Sequence, residues 1–401
     1  MRVVHCHPTD AKGGGSKLTY RLHDGLQRRH GVDSTLAVGK KHRDDETVHE
    51  LGSLPGERYL TYGIERALSL DGFGSPSSLR FQRLIDEDVD LVHLHNVHGY
   101  YFNLLNVRLL PDDLPVVWTF HDMWPVTGNC VHSYDCDRFQ SACGNCPQLD
   151  SYPPLWLDTT RLLLAVKKRL LPHERLHVAV PSAWMERQTR ASTIPYDPVT
   201  HVPNGIDTEQ FRPVDSVAAR DRFDIDNDRV VLFSAGNLTD PNKGLSDLLE
   251  TLGSVGPDEV TLLALGRGSV PPESVPAGCT VRAPGFLSQS EMVLAYNAAD
   301  VTVVPSYGES FCLTATESMA CETPVVGYDV GGLGEQLTDR VGWVVDPGDV
   351  ESFTAALNGA LANAEQREAR GRAARAHVTD SYRIETTVDR YFELYRRILD
   401  Q

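Results

Sequence analysis

Short runs of β-branched and apolar residues alternate with helix-period patterns along most of this 401-residue chain, and the alternation begins twice. Such a pattern argues for parallel sheets built from βαβ units, because a parallel neighbour is reached only through a long crossover. The first run, Val3-Val4-His5-Cys6-His7, leads into a Gly13-Gly14-Gly15 loop, after which Leu18, Leu22 and Leu26 form one apolar helix stripe. Ser34–Val38, Leu91–Leu94, Val116–Phe120 and Val178–Pro181 read as further strands of this half. The pattern restarts after the turn Pro203-Asn204-Gly205. There, strands at Val230–Ala235, Val260–Leu265, Val301–Val304 and Pro324–Gly327 alternate with helices around Leu245–Leu252, Glu291–Ala298 and Cys312–Ala320. The expected fold class is α/β, with two Rossmann-like doubly wound domains facing a cleft and ligands held beyond the carboxyl ends of the strands. The expected extents are 1–202 and 203–381, followed by an amphipathic closing helix over 382–401 that packs back on the body.

Charge narrows the partners. The net charge of −17 is uneven: residues 1–205 hold 22 Lys and Arg against 24 Asp and Glu, and the remainder holds 16 against 31. An acidic half argues against nucleic-acid binding, which rests on cationic contacts to phosphate. The opening MRVVHCHPTD is too short and polar for a secretory signal, and no apolar run approaches the ~20 residues of a spanning helix, so a cytoplasmic protein is expected. The segment from Trp156 to Leu171 mixes Leu162, Leu163 and Leu164 with Lys167, Lys168 and Arg169. It reads as a partly exposed helix covering the N-terminal sheet; peripheral contact with an anionic membrane surface, at the inner face, is the alternative.

In the second half, Tyr307-Gly308-Glu309-Ser310 follows a strand, and a helix is expected to open near Ser310, a good N-cap residue. Fully helical spacing would put Glu309 and Glu317 ~12 Å apart along one side. That suits two ends of one extended ligand better than a shared catalytic dyad, and helix-start N–H groups between them favour a phosphate. As an isolated pair, both would read as solvated helix carboxylates. Their surroundings change this: Met319-Ala320-Cys321-Glu322-Thr323-Pro324, Gly331-Gly332-Leu333-Gly334-Glu335, Val202-Pro203-Asn204-Gly205-Ile206-Asp207, Asn242-Lys243-Gly244 and Pro347-Gly348-Asp349 accompany them in order. The set resembles the donor-site signature of family 4 retaining glycosyltransferases, most strongly over 200–350.

The resemblance implies the GT-B arrangement and a nucleotide-diphosphate sugar, UDP- or GDP-linked, as donor. It implies that Glu309 holds hydroxyls of the transferred sugar, Glu317 the ribose, and Lys243 the diphosphate. Backbone amides of Phe311, Cys312, Leu313 and Thr314 would approach sugar and phosphate, the 282–287 loop with Phe286 would lie near the base, and Gly14 and Gly15 near phosphate and acceptor. His121, in Thr119-Phe120-His121-Asp122, would stand beside the sugar with Asp122 orienting it; His121, Glu309 and Lys243 are thus the implied catalytic set. No catalytic cofactor is implied. Two departures stand out. Asn237 occupies a position where the family commonly has Arg, so Arg267 is a candidate substitute, a surface loop residue being the equal alternative; and Glu322 stands where the family usually has Gly.

Four of the eight cysteines, Cys130, Cys136, Cys143 and Cys146, cluster in one loop-rich stretch within 123–149 with spacing C-x5-C-x6-C-x2-C. Clustering without a secretory signal favours a structural zinc, with reduced thiols or disulfides as alternatives and His132 as a spare ligand. The stretch looks like an insert in a subset of surface-polysaccharide glycosyltransferases, which suggests a saccharide or lipid-linked saccharide acceptor. The expected function is retaining glycosyl transfer; a nucleotide-sugar epimerase and a non-catalytic sugar-nucleotide-binding subunit are the other classes to be separated from it.

Overall fold

A computed structural model describes residues 1–51, 56–171, 174–226, 229–255 and 260–401. It resolves two parallel α/β sheets. Backbone contacts divide the chain into two compact units, Met1–Pro203 with Glu385–Gln401, and Asn204–Ile384.

In the first unit, strands β1 (Arg2–Thr9), β2 (Asp33–Lys40), β3 (Val48–Glu50), β4 (Leu91–Leu94), β5 (Val116–Thr119), β6 (Leu176–Val180) and β7 (Val199–His201) pair in the order β3-β2-β1-β4-β5-β6-β7. The central strands are buried on both faces, as parallel sheets covered by crossover helices must be. Helix α1 (Gly14–His30) follows β1 and buries Leu18, Leu22 and Leu26; Gly31, in the left-handed region, ends it. The expected triglycine loop is shorter than read: only Gly13 (φ 88) is outside the helix, and Gly14 and Gly15 form its first turn. The closing helix Ile384–Leu399 joins this unit, with Tyr391 and Tyr395 buried and hydrogen-bonded to Thr119 and His93 of the sheet.

In the second unit, β8 (Val230–Asn237), β9 (Val260–Arg267), β10 (Cys279–Gly285), β11 (Val301–Val304), β12 (Val325–Tyr328) and β13 (Gly342–Val345) pair in the order β10-β9-β8-β11-β12-β13. The strands that periodicity missed are β3, β7, β10 and β13, the four edge strands of the two sheets, all short or partly exposed, where the apolar signal is weakest. One correction concerns the donor motif. The helix after β11 runs Leu313–Ala320 with Cys312 at its N-cap and no side-chain cap, so Ser310 does not open it. Glu309 sits in the preceding loop, where its carbonyl accepts from Gly332 N at 2.7 Å, a tertiary bond that holds the chain out of the helix. The ~12 Å helical spacing of the two glutamates therefore does not apply.

The C-terminal end of this helix also accounts for Glu322. Its φ is 62°, and Thr323 N donates to Ser318 O and Glu322 N to Met319 O, the closure of a helix by a left-handed residue. Glycine adopts that conformation freely, whereas a residue with a Cβ is strained there by about 1 kcal/mol.

Candidate functional site

In the second unit the loops at the carboxyl ends of β8 and β11 are laced together. Tyr307 N donates to Asn242 O at 2.9 Å, and the Tyr307 and Tyr328 hydroxyls both donate to Asp247 Oδ2, at 2.6 and 2.8 Å. Asp240 caps the short 3-10 turn Pro241–Lys243, and Gly244 follows at φ 72. A Cβ on Gly244 would lie 1.9 Å from Pro305 O, so only glycine lets the two loops approach. This juxtaposition sets Lys243 Nζ 2.7 Å from Glu309 Oε1, both half-buried. The Glu309 charge holds the ammonium well above its ordinary range against the opposing effect of burial.

Glu317, on the helix Leu313–Ala320, accepts from the buried Tyr296 hydroxyl at 2.9 Å. Cys312 is buried at the N-cap with its thiol pushed up by burial, and Leu313 and Thr314 form the first turn. Phe311 packs edge-on to Tyr382, ring centroids 5.6 Å apart. At the far end of β9, Arg267 is the register partner of Asn237 and lies over Phe286, 6.0 Å from its ring centre; Phe286 is exposed. The expected 282–287 loop is in part a strand: Arg282 belongs to β10, and its guanidinium donates to Asp224 O at 2.9 and 3.1 Å.

In the first unit His121 follows β5, but Asp122 does not orient it. Asp122 Oδ2 takes hydrogen bonds from Asn96 at 2.6 Å and from His98 Nε2 at 2.7 Å, while Trp124 N donates to Oδ1. Burial pushes the Asp122 carboxyl up and the His98 imidazole down. Each nevertheless moves the other way, because its partner's opposite charge outweighs burial. The neighbour of His121 is His95: His95 Nδ1 lies 3.0 Å from His121 Nε2, and His5 Nδ1 lies 3.2 Å from His95 Nε2. Three imidazoles on adjacent strands or strand ends thus form a column, with one proton serving each N···N contact. Burial, opposed by Asp122, lowers His121 to about 4, so its ring is neutral at neutral pH. Gly15 borders the same region, since a Cβ there would meet His7 Nε2 and Asn96 Oδ1 at 3.4 and 3.5 Å.

His95, His98 and Asn96 were not singled out from sequence; the only signal was the run His93-Leu94-His95-Asn96-Val97-His98 after a strand. Ring nitrogens of His5, His93 and His95 lie within 4.8 Å of one another, a spacing a metal ion can use. Yet His93 already meets Tyr395 OH at 2.5 Å and Thr119 Oγ1 at 2.7 Å, and both nitrogens of His95 face imidazoles. The trio is a hydrogen-bonded core.

Cys130, Cys136, Cys143 and Cys146 are free thiols that line one pocket with Gly128, Phe139 and Thr160. The turn Cys143-Gly144-Asn145 has φ of 50, 93 and 48°, and Gly128 N donates to Cys143 Sγ at 3.3 Å. His132 is engaged elsewhere, stacked on Trp184 with centroids 5.1 Å apart.

Comparison with known proteins bears on both units. Residues 12–210 match the model of Glycosyltransferase Family 4, and residues 216–377 match that of Glycosyl transferases group 1. A D-inositol 3-phosphate glycosyltransferase of Segniliparus rotundus is 36% identical over 211 residues, covering 49% of this chain and 46% of that protein. The chain thus spans about half the length of such relatives. The phosphatidyl-myo-inositol mannosyltransferase of Mycobacterium leprae is 28% identical over 76% of this chain and 75% of its own. Among solved structures, a sucrose-phosphate synthase of Thermosynechococcus elongatus superposes over 100% of this chain and 99% of its own, with a TM-score of 0.74 at 21% identity, a likeness of fold. With a family 4 match over its first half, a group 1 match over its second, and two parallel α/β sheets of the GT-B kind, the chain belongs to the family 4 glycosyltransferases.

Proposed function

We propose that the chain is a retaining glycosyltransferase moving a sugar from a UDP- or GDP-linked donor to a hydroxyl of a saccharide or lipid-linked saccharide. The observation that carries this reading is the Lys243–Glu309 pair, 2.7 Å apart at the strand ends. A cation and a carboxylate held side by side match the two halves of a sugar diphosphate. On binding, the diphosphate takes Lys243, and the released Glu309 turns to the sugar hydroxyls. The first-turn N–H groups of the helix Leu313–Ala320, which no side chain caps, face the phosphate, and Glu317 takes the ribose. The neutral His121 imidazole orients a sugar hydroxyl. The acceptor oxygen attacks the anomeric carbon on the face from which the diphosphate leaves; the new C–O bond forms as the phosphate bond breaks, and the acceptor proton passes to the leaving phosphate. No protein nucleophile enters.

Purified protein incubated with UDP-, GDP- and ADP-sugars is expected to hydrolyse one class slowly, releasing the sugar as the retained anomer by proton NMR. A new sugar epimer, or silence with every donor, would overturn the reading in favour of an isomerase or a binding subunit. We further propose that the four clustered thiols hold a structural zinc, on the strength of their common pocket and the left-handed Cys143-Gly144-Asn145 turn. Elemental analysis is expected to find one zinc per chain in protein purified without chelator; protein free of metal sinks this part.

A further inference from the structure

The imidazole column of the first unit has two ends. Its two contacts, His5 Nδ1 with His95 Nε2 at 3.2 Å and His95 Nδ1 with His121 Nε2 at 3.0 Å, leave His5 Nε2 at one end and His121 Nδ1 at the other. The inner end is closed. His5 and His95 are buried, and the buried His93 packs against both, with ring centroids 5.0 and 4.0 Å away. His5 Nε2 is enclosed and has no hydrogen-bond partner among the described residues. The nitrogens of His93 are taken by Tyr395 and Thr119, and those of the neighbouring His23 by Ser34 and Thr47, so neither ring has one to offer. The outer end is open: His121 is half-buried, and among the described residues nothing pairs with its Nδ1 or encloses it.

Proton counting then fixes a direction. A neutral imidazole has one N–H and one lone pair. Each N···N contact uses one proton, and the third proton sits on one of the two end nitrogens. Because His95 has a single proton to give, both contacts must point the same way. Directed inward, the column would leave an N–H on His5 Nε2, sealed from water and without an acceptor. Buried N–H groups in that state are rarer than unused lone pairs. Directed outward, it leaves only a lone pair there and turns every N–H dipole toward the outer ring, on which the Asp122 carboxylate acts. Asp122 is itself held by Asn96 and His98, on the side away from the column. We propose that His5 and His95 are positioning residues that hold His121 in its Nδ1–H tautomer, so that this ring meets the substrate as a hydrogen-bond donor and not as an acceptor. That the N–H meets a lone pair of a sugar hydroxyl rests on the glycosyl-transfer reading; the tautomer itself does not.

The test is a long-range proton–nitrogen NMR spectrum of the full-length chain labelled with nitrogen-15 histidine, the His121 signals being assigned by their loss in His121→Asn. Wild type is expected to show a protonated Nδ1 and a bare Nε2 on His121. His95→Phe keeps a ring in the core and removes both nitrogens, so His121 should move toward the Nε2–H form that a free imidazole favours. His95→Asn, whose amide nitrogen takes the place of Nδ1, should restore the Nδ1–H form. Slow donor hydrolysis should follow the tautomer: kcat falls about a hundredfold in His95→Phe and stays within about tenfold of wild type in His95→Asn, with KM nearly unchanged in both. A bare Nδ1 in wild type, or a His121 tautomer untouched by His95→Phe, would overturn the proposal, and the wild-type spectrum decides even where that variant fails to fold. The expected tautomer without turnover of any donor would uphold the proposal and count against the glycosyl-transfer reading instead.

Discussion

Replacing Lys243 with alanine is expected to weaken binding of the nucleoside diphosphate by about a thousandfold. The second unit is acidic, and residues 230–330 contain three cationic side chains, Lys243, Arg267 and Arg282. Arg282 is committed to the Asp224 carbonyl, which leaves Lys243 and Arg267 for two phosphates. A charge-assisted hydrogen bond contributes about 1.5–3 kcal/mol, and its loss here also strips Glu309 of its counter-charge. The freed carboxylate then faces the diphosphate as a like charge, so a total of roughly 4 kcal/mol, or three decades, is expected. Arg267→Ala should cost about tenfold if Arg267, beside Asn237 in the register of β8 and β9, serves as the second cation. Titration calorimetry of UDP and GDP against both variants decides the matter. A loss below tenfold for Lys243→Ala sinks its diphosphate role, and no change for Arg267→Ala removes Arg267 from the site.

The second large effect is on stability. Acidification from pH 7.5 to 5.5 is expected to lower the melting temperature of the first unit by roughly 15 °C or more. Fourteen of the fifteen histidines precede residue 204, and His5, His7, His23, His93 and His95 are buried. Burial first, and for His5, His7, His93 and His95 neighbouring imidazoles, lower all five: His7 to about 3, His23 to about 4, and the others well below the ordinary value. Each is therefore neutral in the fold, whereas the unfolded chain takes up a proton on each near pH 6.5. Between the two values the unfolded state binds more protons, so stability falls as pH falls, by about 1.4 kcal/mol per histidine per pH unit. Five such groups together approach the whole stability of an ordinary domain within one or two pH units. His98, raised by Asp122, works in the opposite direction and offsets part of one. The second unit contains only His377 and should respond far less. Equal melting temperatures at the two pH values would mean that the histidine cluster is protonated or open to water.

The placement of Lys243 and Glu309 in loops after strands of the second unit was legible in the sequence. Lys243, Glu309 and Glu317 follow strands whose apolar runs are continuous, and a continuous run bounded by Gly and Pro reports local structure without reference to partners. The start of the helix after Glu309 was misplaced because Ser310 has the chemistry of an N-cap while a tertiary bond from Gly332 keeps the loop extended. The reverse held at Glu322, where a departure from the family pattern had no account until its positive φ showed why glycine is the usual occupant.

What the amino-acid order determined alone was the kind and sequence of elements: two doubly wound parallel units, the loops at their strand ends, and the four-cysteine cluster between β5 and β6. These rest on periodicity, capping and spacing within a few residues. Tertiary structure decided who meets whom. The parallel register of β1, β4 and β5 brings His5, His95 and His121 into one column, and the approach of two loops at Gly244 joins Lys243 to Glu309 across 66 residues. The inward turn of Glu65 on the helix Glu57–Leu68, and of Ser69 at its C-cap, likewise depends on distant N–H groups at residues 72–74 and 156–157. A helix period alone would have placed that face outward, because amphipathicity records only that a helix has two sides, and the partners of each side are chosen by hydrogen bonds the chain makes elsewhere.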